Sequence, residues 1–308
     1  MRASRQFGFC SSYNLIALGV AALLAPLTAK PADILYMSNW GTGASGSGTI
    51  ERFNLSTGAD LGAFATGLNA ATGLALDSVG DLYVANSGNN TIEKFTPEGV
   101  GSVFARTGLS LPMGLAFDSA GNLYAANLGN NTIEKFTPGG AASVFASSGL
   151  SAPYGLAFNS AGDLYAANEG NSTIEKFTPG GVGSVFASTG VSYPIGLAFD
   201  SAGKLYAASP GNSTIEEFTP DGTASVFAST GLSSPMGLAC DRAGNLYAAF
   251  YPNNTIEEFT PGGIGSVFAN TGSIQPNFLA IQEVPEPSAI ALLGLGLTSL
   301  LVFRRRTA

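Results

Sequence analysis

The sequence predicts an all-β fold: a six-bladed β-propeller of four-stranded antiparallel blades, with short helices at both termini. Three observations predict it. The middle of the chain repeats every 41 residues, and Gly73, Gly114, Gly155, Gly196 and Gly237 open near-identical segments. Each segment holds four short apolar runs divided by Gly, Pro, Asn and Asp, which never leave the roughly ten clear residues a helix needs. The array also begins and ends on incomplete copies that complement each other.

In chain order, residues 1–29 carry Arg2 and Arg5, an apolar stretch from Leu15 to Leu24, and the small-residue stretch "APLTAK". This is the layout of a secretory signal peptide, cleaved after Ala29. A retained N-terminal anchor is the other reading. The propeller is expected over residues 33–283. In the copy opening at Gly114 the strands are "GLAF", "LYAAN", "TIEKF" and "SVFA", joined by "DSAGN", "LGNN" and "TPGG". Asp, Asn and Gly in these joints suit tight turns. The loop "SSGLSAPY" leads to the next copy.

Four antiparallel strands per unit of ~40 residues is a propeller blade, and one such sheet cannot cover both its faces alone. Strand two recurs from Ile34, Leu82, Leu123, Leu164, Leu205 and Leu246. Strand one recurs from the five glycines and again at Phe278, 41 residues after Gly237. The chain therefore starts on strand two of one blade and stops on strand one of a blade. Joining those pieces, so that the strands of Leu35 and Leu279 complete one blade, closes the ring and removes the free edge. An open solenoid would not need complementary ends.

Charge and composition exclude several functions. From Lys30 to Glu283 the chain carries 8 Lys and Arg against 20 Asp and Glu, a net of −12. Such a surface repels phosphate backbones, so nucleic acid is not an expected partner. The chain contains no histidine, which removes the commonest general base and metal ligand. Cys240 is the one cysteine of that span and has no partner for a disulfide there. The first-strand motif Gly-Leu-Ala-Phe contains no carboxylate, and no catalytic, cofactor-binding or metal-ligating set is assigned.

The candidate ligand rim carries the loops between strands two and three. Its lead positions are Asn39, Asn86, Asn127, Asn168, Ser209 and Phe250. A ring of amides suits sugar hydroxyls or a hydrated cation; the competing reading is turn-forming asparagine bonded to its own backbone. The repeat symmetry breaks at Trp40, at Ser209-Pro210 and at Phe250-Tyr251, where a specific site is expected. Strand three pairs charges as Glu51-Arg52, Glu93-Lys94, Glu134-Lys135 and Glu175-Lys176, then becomes Glu216-Glu217 and Glu257-Glu258. Glu of one blade is expected to meet Lys or Arg of the next, with carboxylates gathering at one seam.

The pattern "GLAFDSAGNLYAAN-x-GNNTIEKF" resembles the NHL repeat family of six-bladed propellers, over roughly Asp33 to Gln282. The resemblance implies the closed ring. Related six-bladed families include gluconolactonase-like enzymes, which hold a divalent metal in the channel through acidic and amide side chains. Virginiamycin B lyase is another relative by fold, and its histidine-based catalysis has no counterpart here.

The C-terminal stretch 284–308 holds Pro285, Glu286 and Pro287, then an apolar run over residues 289–303, then Arg304, Arg305 and Arg306. As a helix that run would span about 22 Å, short of a hydrocarbon core of ~30 Å. The order of these features is similar to the PEP-CTERM sorting signal. That resemblance implies an exosortase-type processing partner, arginines on the cytoplasmic side, transient membrane contact through 289–303, and a Gram-negative, exopolysaccharide-making host. A lasting membrane helix is the other reading. The expected function is an exported, envelope- or matrix-associated propeller that binds or scaffolds without catalysis, with exopolysaccharide or envelope proteins as partners. The alternative is a lactonase-like, metal-dependent hydrolase.

Overall fold

The computed structural model describes residues 32–272 and 274–284. The expected terminal helices, the signal peptide, and the motif residues Pro285, Glu286, Pro287, Arg304, Arg305 and Arg306 lie outside the described residues. Within them, 24 strands form six four-stranded sheets. The chain opens with β1 (Ile34–Asn39), β2 (Gly48–Asn54) and β3 (Asp60–Leu68). Five full blades follow. The first is β4 (Ala71–Leu76), β5 (Leu82–Asn86), β6 (Thr91–Phe95) and β7 (Gly101–Ala105). The second is β8 (Pro112–Phe117), β9 (Leu123–Asn127), β10 (Thr132–Phe136) and β11 (Ala142–Ala146). The third is β12 (Pro153–Phe158), β13 (Leu164–Asn168), β14 (Thr173–Phe177) and β15 (Gly183–Ala187). The fourth is β16 (Leu197–Phe199), β17 (Leu205–Ser209), β18 (Thr214–Phe218) and β19 (Ala224–Ala228). The fifth is β20 (Pro235–Cys240), β21 (Leu246–Phe250), β22 (Thr255–Phe259) and β23 (Gly265–Asn270). The last strand, β24 (Pro276–Gln282), returns to the start, and the closing blade runs β24-β1-β2-β3.

Closure is held by more than its ladder. β24 pairs antiparallel with β1, with Leu35 opposite Ile281 and Met37 opposite Leu279. The register slips between Met37 and Asn39. There the Phe278 N–H donates to Ser38 Oγ at 3.0 Å, so a hydroxyl takes the place of a ladder carbonyl. Tyr36 Oη donates to Gln282 Oε1 at 3.0 Å. Beyond the strand, the Val284 N–H donates to Asp33 Oδ1 at 2.7 Å.

Innermost strands begin two residues before the Gly-Leu-Ala-Phe motif in most blades. Pro is accepted as the first residue of a strand because its missing donor lies outside the ladder. The residue after it faces the axis, buried in every blade but the fifth, where Met236 is half-buried. These axial positions are Thr72, Met113, Tyr154, Ile195, Met236 and Asn277. The repeat glycines let neighbouring innermost strands touch: a Cβ on Gly155 would sit 2.1 Å from the Ile195 carbonyl oxygen. In the closing blade Phe278 takes the glycine position. Its ring stacks on Tyr154, from the blade three places round, with centroids 5.9 Å apart and planes 10° apart. This aromatic pair fills the middle of the channel.

Blade seams are apolar and repeat their aromatic geometry. Tyr83 of β5 stands edge-on between Phe104 of its own blade and Phe117 of the next, each at 5.0 Å. Tyr124 and Tyr165 do the same. Such pairs add ~0.5–1.5 kcal/mol beyond area burial. The charge pattern differs from the expectation. Lys94 meets Asp81 at 2.6 Å and Lys176 meets Asp163 at 2.8 Å, both on the hairpin of the same blade. The neighbouring Glu134 and Glu175 face the dry seam and are 5% exposed. Lys therefore pairs within its blade, because the hairpin acid lies beside it while the seam is filled by aromatics.

Candidate functional site at the loop rim

The loops from strand two to three, and those from strand four to the next strand one, share one rim. On it the repeated amides are internal ties. Asn86, Asn127 and Asn168 are fully buried. Asn127 Nδ2 donates to the Gly108 carbonyl at 2.8 Å and to Thr132 Oγ1 at 3.1 Å, and its Oδ1 accepts the Ser110 N–H at 3.1 Å. Asn168 repeats this with Gly149, Thr173 and Ser151. Each amide staples its own turn to the incoming loop. Ser209 and Phe250 stand at the same position in the fourth and fifth blades and are also buried. Ser209 is too short to make the staple, and its Oγ has no partner.

The residues that break the repeat lie together instead. Trp40 and Tyr251 are each about two-fifths exposed, at 38% and 39%. They form the wall between two joined compartments. The outer one, about 580 Å³, is lined by Asn39, Trp40, Thr42, Ser47, Tyr251 and Gln275 among others. The inner one, about 240 Å³, is lined by Trp40, Pro210, Ser234, Met236, Tyr251, Gln275 and Asn277. The cleft lies at the mouth of the channel, over the sector where the fourth blade, the fifth blade and the closing blade meet. Its size is ordinary for a small-molecule site.

Local sequence explains the opening. The β1–β2 loop is longer than its counterparts and glycine-rich, and Gly41, Gly43 and Gly46 all have positive φ. Asn39 Oδ1 accepts the Gly41 N–H at 3.0 Å, and Ser47 Oγ accepts the Thr42 N–H at 3.0 Å. These bonds fix the conformation of the loop that carries Trp40 into the lining of both compartments. Of the expected rim residues, Asn39, Trp40 and Tyr251 line the cleft, while Asn86, Asn127, Asn168, Ser209 and Phe250 do not. Gln275, Met236 and Asn277 escaped the sequence reading. The signal for Asn277 was present: it is the one amide among the six axial positions.

Every lining residue of both compartments is uncharged. A divalent ion in the channel needs several oxygen donors with carboxylates among them. The axial ring of Thr, Met, Tyr, Ile, Met and Asn does not supply that set, and among the described residues no group of three or more His, Cys, Asp or Glu gathers to hold a metal. The Cys240 thiol is pushed up to about 12, first by burial and then by Asp200 and Asp241. It is thus a protonated, poorly nucleophilic thiol at neutral pH.

A closed ring of six four-stranded blades with one uncharged rim cleft makes this chain a six-bladed β-propeller. Its C-terminal residues 283–306 are a PEP-CTERM protein-sorting motif. No curated protein matches the chain. Solved structures match the propeller. A chain of a nidogen/laminin complex gives a TM-score of 0.72 at 21% identity, covering 82% of this chain and 98% of that one. A catalytically inactive virginiamycin B lyase from Staphylococcus aureus with quinupristin gives 0.62 at 18%, covering 80% and 92%. A gluconolactonase from Xanthomonas campestris gives 0.62 at 17%, covering 82% and 96%. At these identities the likeness is one of fold, which hosts unrelated functions. The sorting motif implies export, processing by an exosortase, and C-terminal membrane anchoring before that processing. Among the described residues no helix is long and apolar enough to cross a membrane, and the apolar run 289–303 lies outside them.

Proposed function

We propose that this is an exported, non-enzymatic binding propeller that presents its Trp40–Tyr251 cleft at the envelope or in the extracellular matrix. In this reading residues 1–29 are removed as a signal peptide, 33–283 are the working domain, and 284–308 are the sorting tail, in a Gram-negative host. The partners are exopolysaccharide or envelope proteins. One observation carries it: the cleft where the repeat-breaking residues converge offers aromatic and amide surface, and its lining holds no carboxylate, cysteine or cationic side chain for metal or acid–base chemistry.

The chain's ends support the same picture. β1 starts and β24 ends on the rim opposite the cleft. Glu283, the first residue of the sorting motif, is already bonded to the propeller through Arg242, with Arg242 Nε 2.8 Å from Glu283 Oε2. Val284 is tied to Asp33. Residues 285–288 then separate the propeller from the apolar run, and four residues reach at most about 14 Å. While the tail sits in the bilayer, the hairpin rim faces the membrane and the cleft faces away.

The test has two arms. The full chain and a variant with Pro285, Glu286 and Pro287 all changed to Ala are expressed in an exosortase-bearing host and fractionated. The native chain is expected in the outer fractions and shortened, the variant uncleaved at the inner membrane; equal distribution would sink the sorting reading. The exported protein is then assayed for bound divalent metal and lactone hydrolysis. Turnover that depends on metal would replace the binding reading with the hydrolase one.

A further inference from the structure

We infer that Asn277 is the specificity-determining residue of a subsite for a neutral sugar ring, which enters the inner compartment and sets two adjacent hydroxyls against its amide. The inference deepens the proposed binding role and rests on it.

Asn277 is 2% exposed, and neither its Oδ1 nor its Nδ2 has a hydrogen-bond partner. Burying an unpaired amide is costly, and proteins rarely leave one so. The equivalent axial residues answer the problem otherwise. Thr72 Oγ1 donates to the Pro112 carbonyl at 2.9 Å, and Met113, Ile195 and Met236 have no polar group to satisfy. Asn277 alone brings an unsatisfied donor and acceptor together, and it lines the inner compartment between Trp40, Tyr251 and Met236. The orphaned Ser209 Oγ precedes the lining Pro210, and the orphaned Asn254 Oδ1 and Thr255 Oγ1 end the loop that carries Tyr251. Of these orphaned residues only Asn277 lines the cleft itself.

The ligand follows from the walls. With every lining residue uncharged, an ion would lose its hydration without recompense. A hydrocarbon would leave the Asn277 amide unpaired. The occupant must therefore be neutral, flat on one face for Trp40 and Tyr251, and furnished with a donor beside an acceptor. A sugar ring has all three: C–H groups on one face, and neighbouring hydroxyls of which one donates to Oδ1 while the next accepts from Nδ2. The outer compartment, bordered by Asn39, Thr42, Ser47 and Gln275, suits further hydroxyls of a continuing chain. Lactam and cyclic imide rings share the donor–acceptor edge but leave that outer polar lining idle.

Trp40 is the only tryptophan in the chain, so its emission reads the cleft directly. The full-length protein is titrated with neutral trisaccharides of glucose, mannose and galactose, with their monodeoxy forms, and with δ-valerolactam and succinimide. At least one trisaccharide is expected to shift the emission, and removal of one hydroxyl of the engaged pair to weaken it ~10- to 100-fold. Asn277→Leu is expected to lose the same factor while melting at or above the native temperature, because it deletes an unpaired polar group. Saccharide binding that N277L and every deoxy form preserve overturns the role of Asn277 and leaves the cleft standing. A response to the lactam or imide alone overturns the sugar class. No response to any probe, nor to the host's own polysaccharide, removes the cleft reading and this inference together. The deoxy series uses native protein, so it decides the matter even if N277L misfolds.

Discussion

Glu134 and Glu175 sit in the dry seam beside the loops at Gly108 and Gly149, and burial pushes both carboxyls above the usual range. Burial does the same to Glu257, and to Glu93 against an opposing pull from Arg106. A carboxyl with a raised pKa in the folded state binds its proton more readily there than in the unfolded chain. Its contribution to stability is full below the unfolded value, about 4.3 for Glu, and is lost as pH rises through the folded value. Asp163, held low first by Lys176, runs the other way. So does Asp118, whose burial is outweighed by hydrogen bonds from Asn122, Tyr124 and Ala120. Their contribution is present above about pH 4 and fails only below it. The melting temperature is therefore expected to be higher near pH ~5 than near pH ~7.5, and E134Q with E175Q to flatten that slope. A native slope of opposite sign, measured by circular dichroism, would refute the assignment. The motif "TIEKF" revealed alternation but not which of Glu or Lys meets the dry side. That depends on the blade stacked against it.

At the level of the hairpin, position and partner change together along the chain. Asp81 faces Lys94 and Asp163 faces Lys176, while the fourth blade reverses the pair, with Lys204 Nζ 2.9 Å from Glu217 Oε1. Sequence alone treated Glu217 and Glu258 alike, as surplus carboxylates at a seam. The structure separates them. Glu217 has its cation. Glu258 accepts the Tyr247 hydroxyl at 3.1 Å, and Asp241 lies near the same hydroxyl at 3.5 Å, so two carboxylates share one donor. E258K is expected to set a cation beside Asp241, as Lys94 stands beside Asp77 in the first full blade, and raise the melting temperature by about one to three degrees, since half-exposed pairs are worth ~0.2–1 kcal/mol. E217K should lower it, because a second cation would face Lys204. Calorimetry that ranks the two variants in the reverse order would discredit the intrablade pairing.

At the scale of the whole ring, stability depends on strands almost the full propeller apart in sequence. β24 covers β1, and Phe278 carries half of the axial stack with Tyr154. A chain ending after Val284 is expected to fold and run as a compact species. One ending after Gln275 should expose the β1 edge and the axial core, and aggregate or unfold at ordinary temperature. Size-exclusion and circular dichroism compare the two, and equal compactness would show that the ring does not depend on closure. The blade count, the strand order and the joining of the two ends were legible beforehand, because a fixed 41-residue period leaves few ways to bury both faces of every sheet. The sorting motif was legible for a similar reason, being a linear order of residue types. The positions where the repeat breaks were readable too, as Trp40, Pro210 and Tyr251. What tertiary structure alone decided is which broken positions converge. Five of the eight expected rim residues point into the fold, while Gln275, Met236 and Asn277 meet Trp40 and Tyr251 where the fifth blade abuts the closing blade. Local sequence carries periodicity, but a cleft is made by side chains that approach only after the circle is closed.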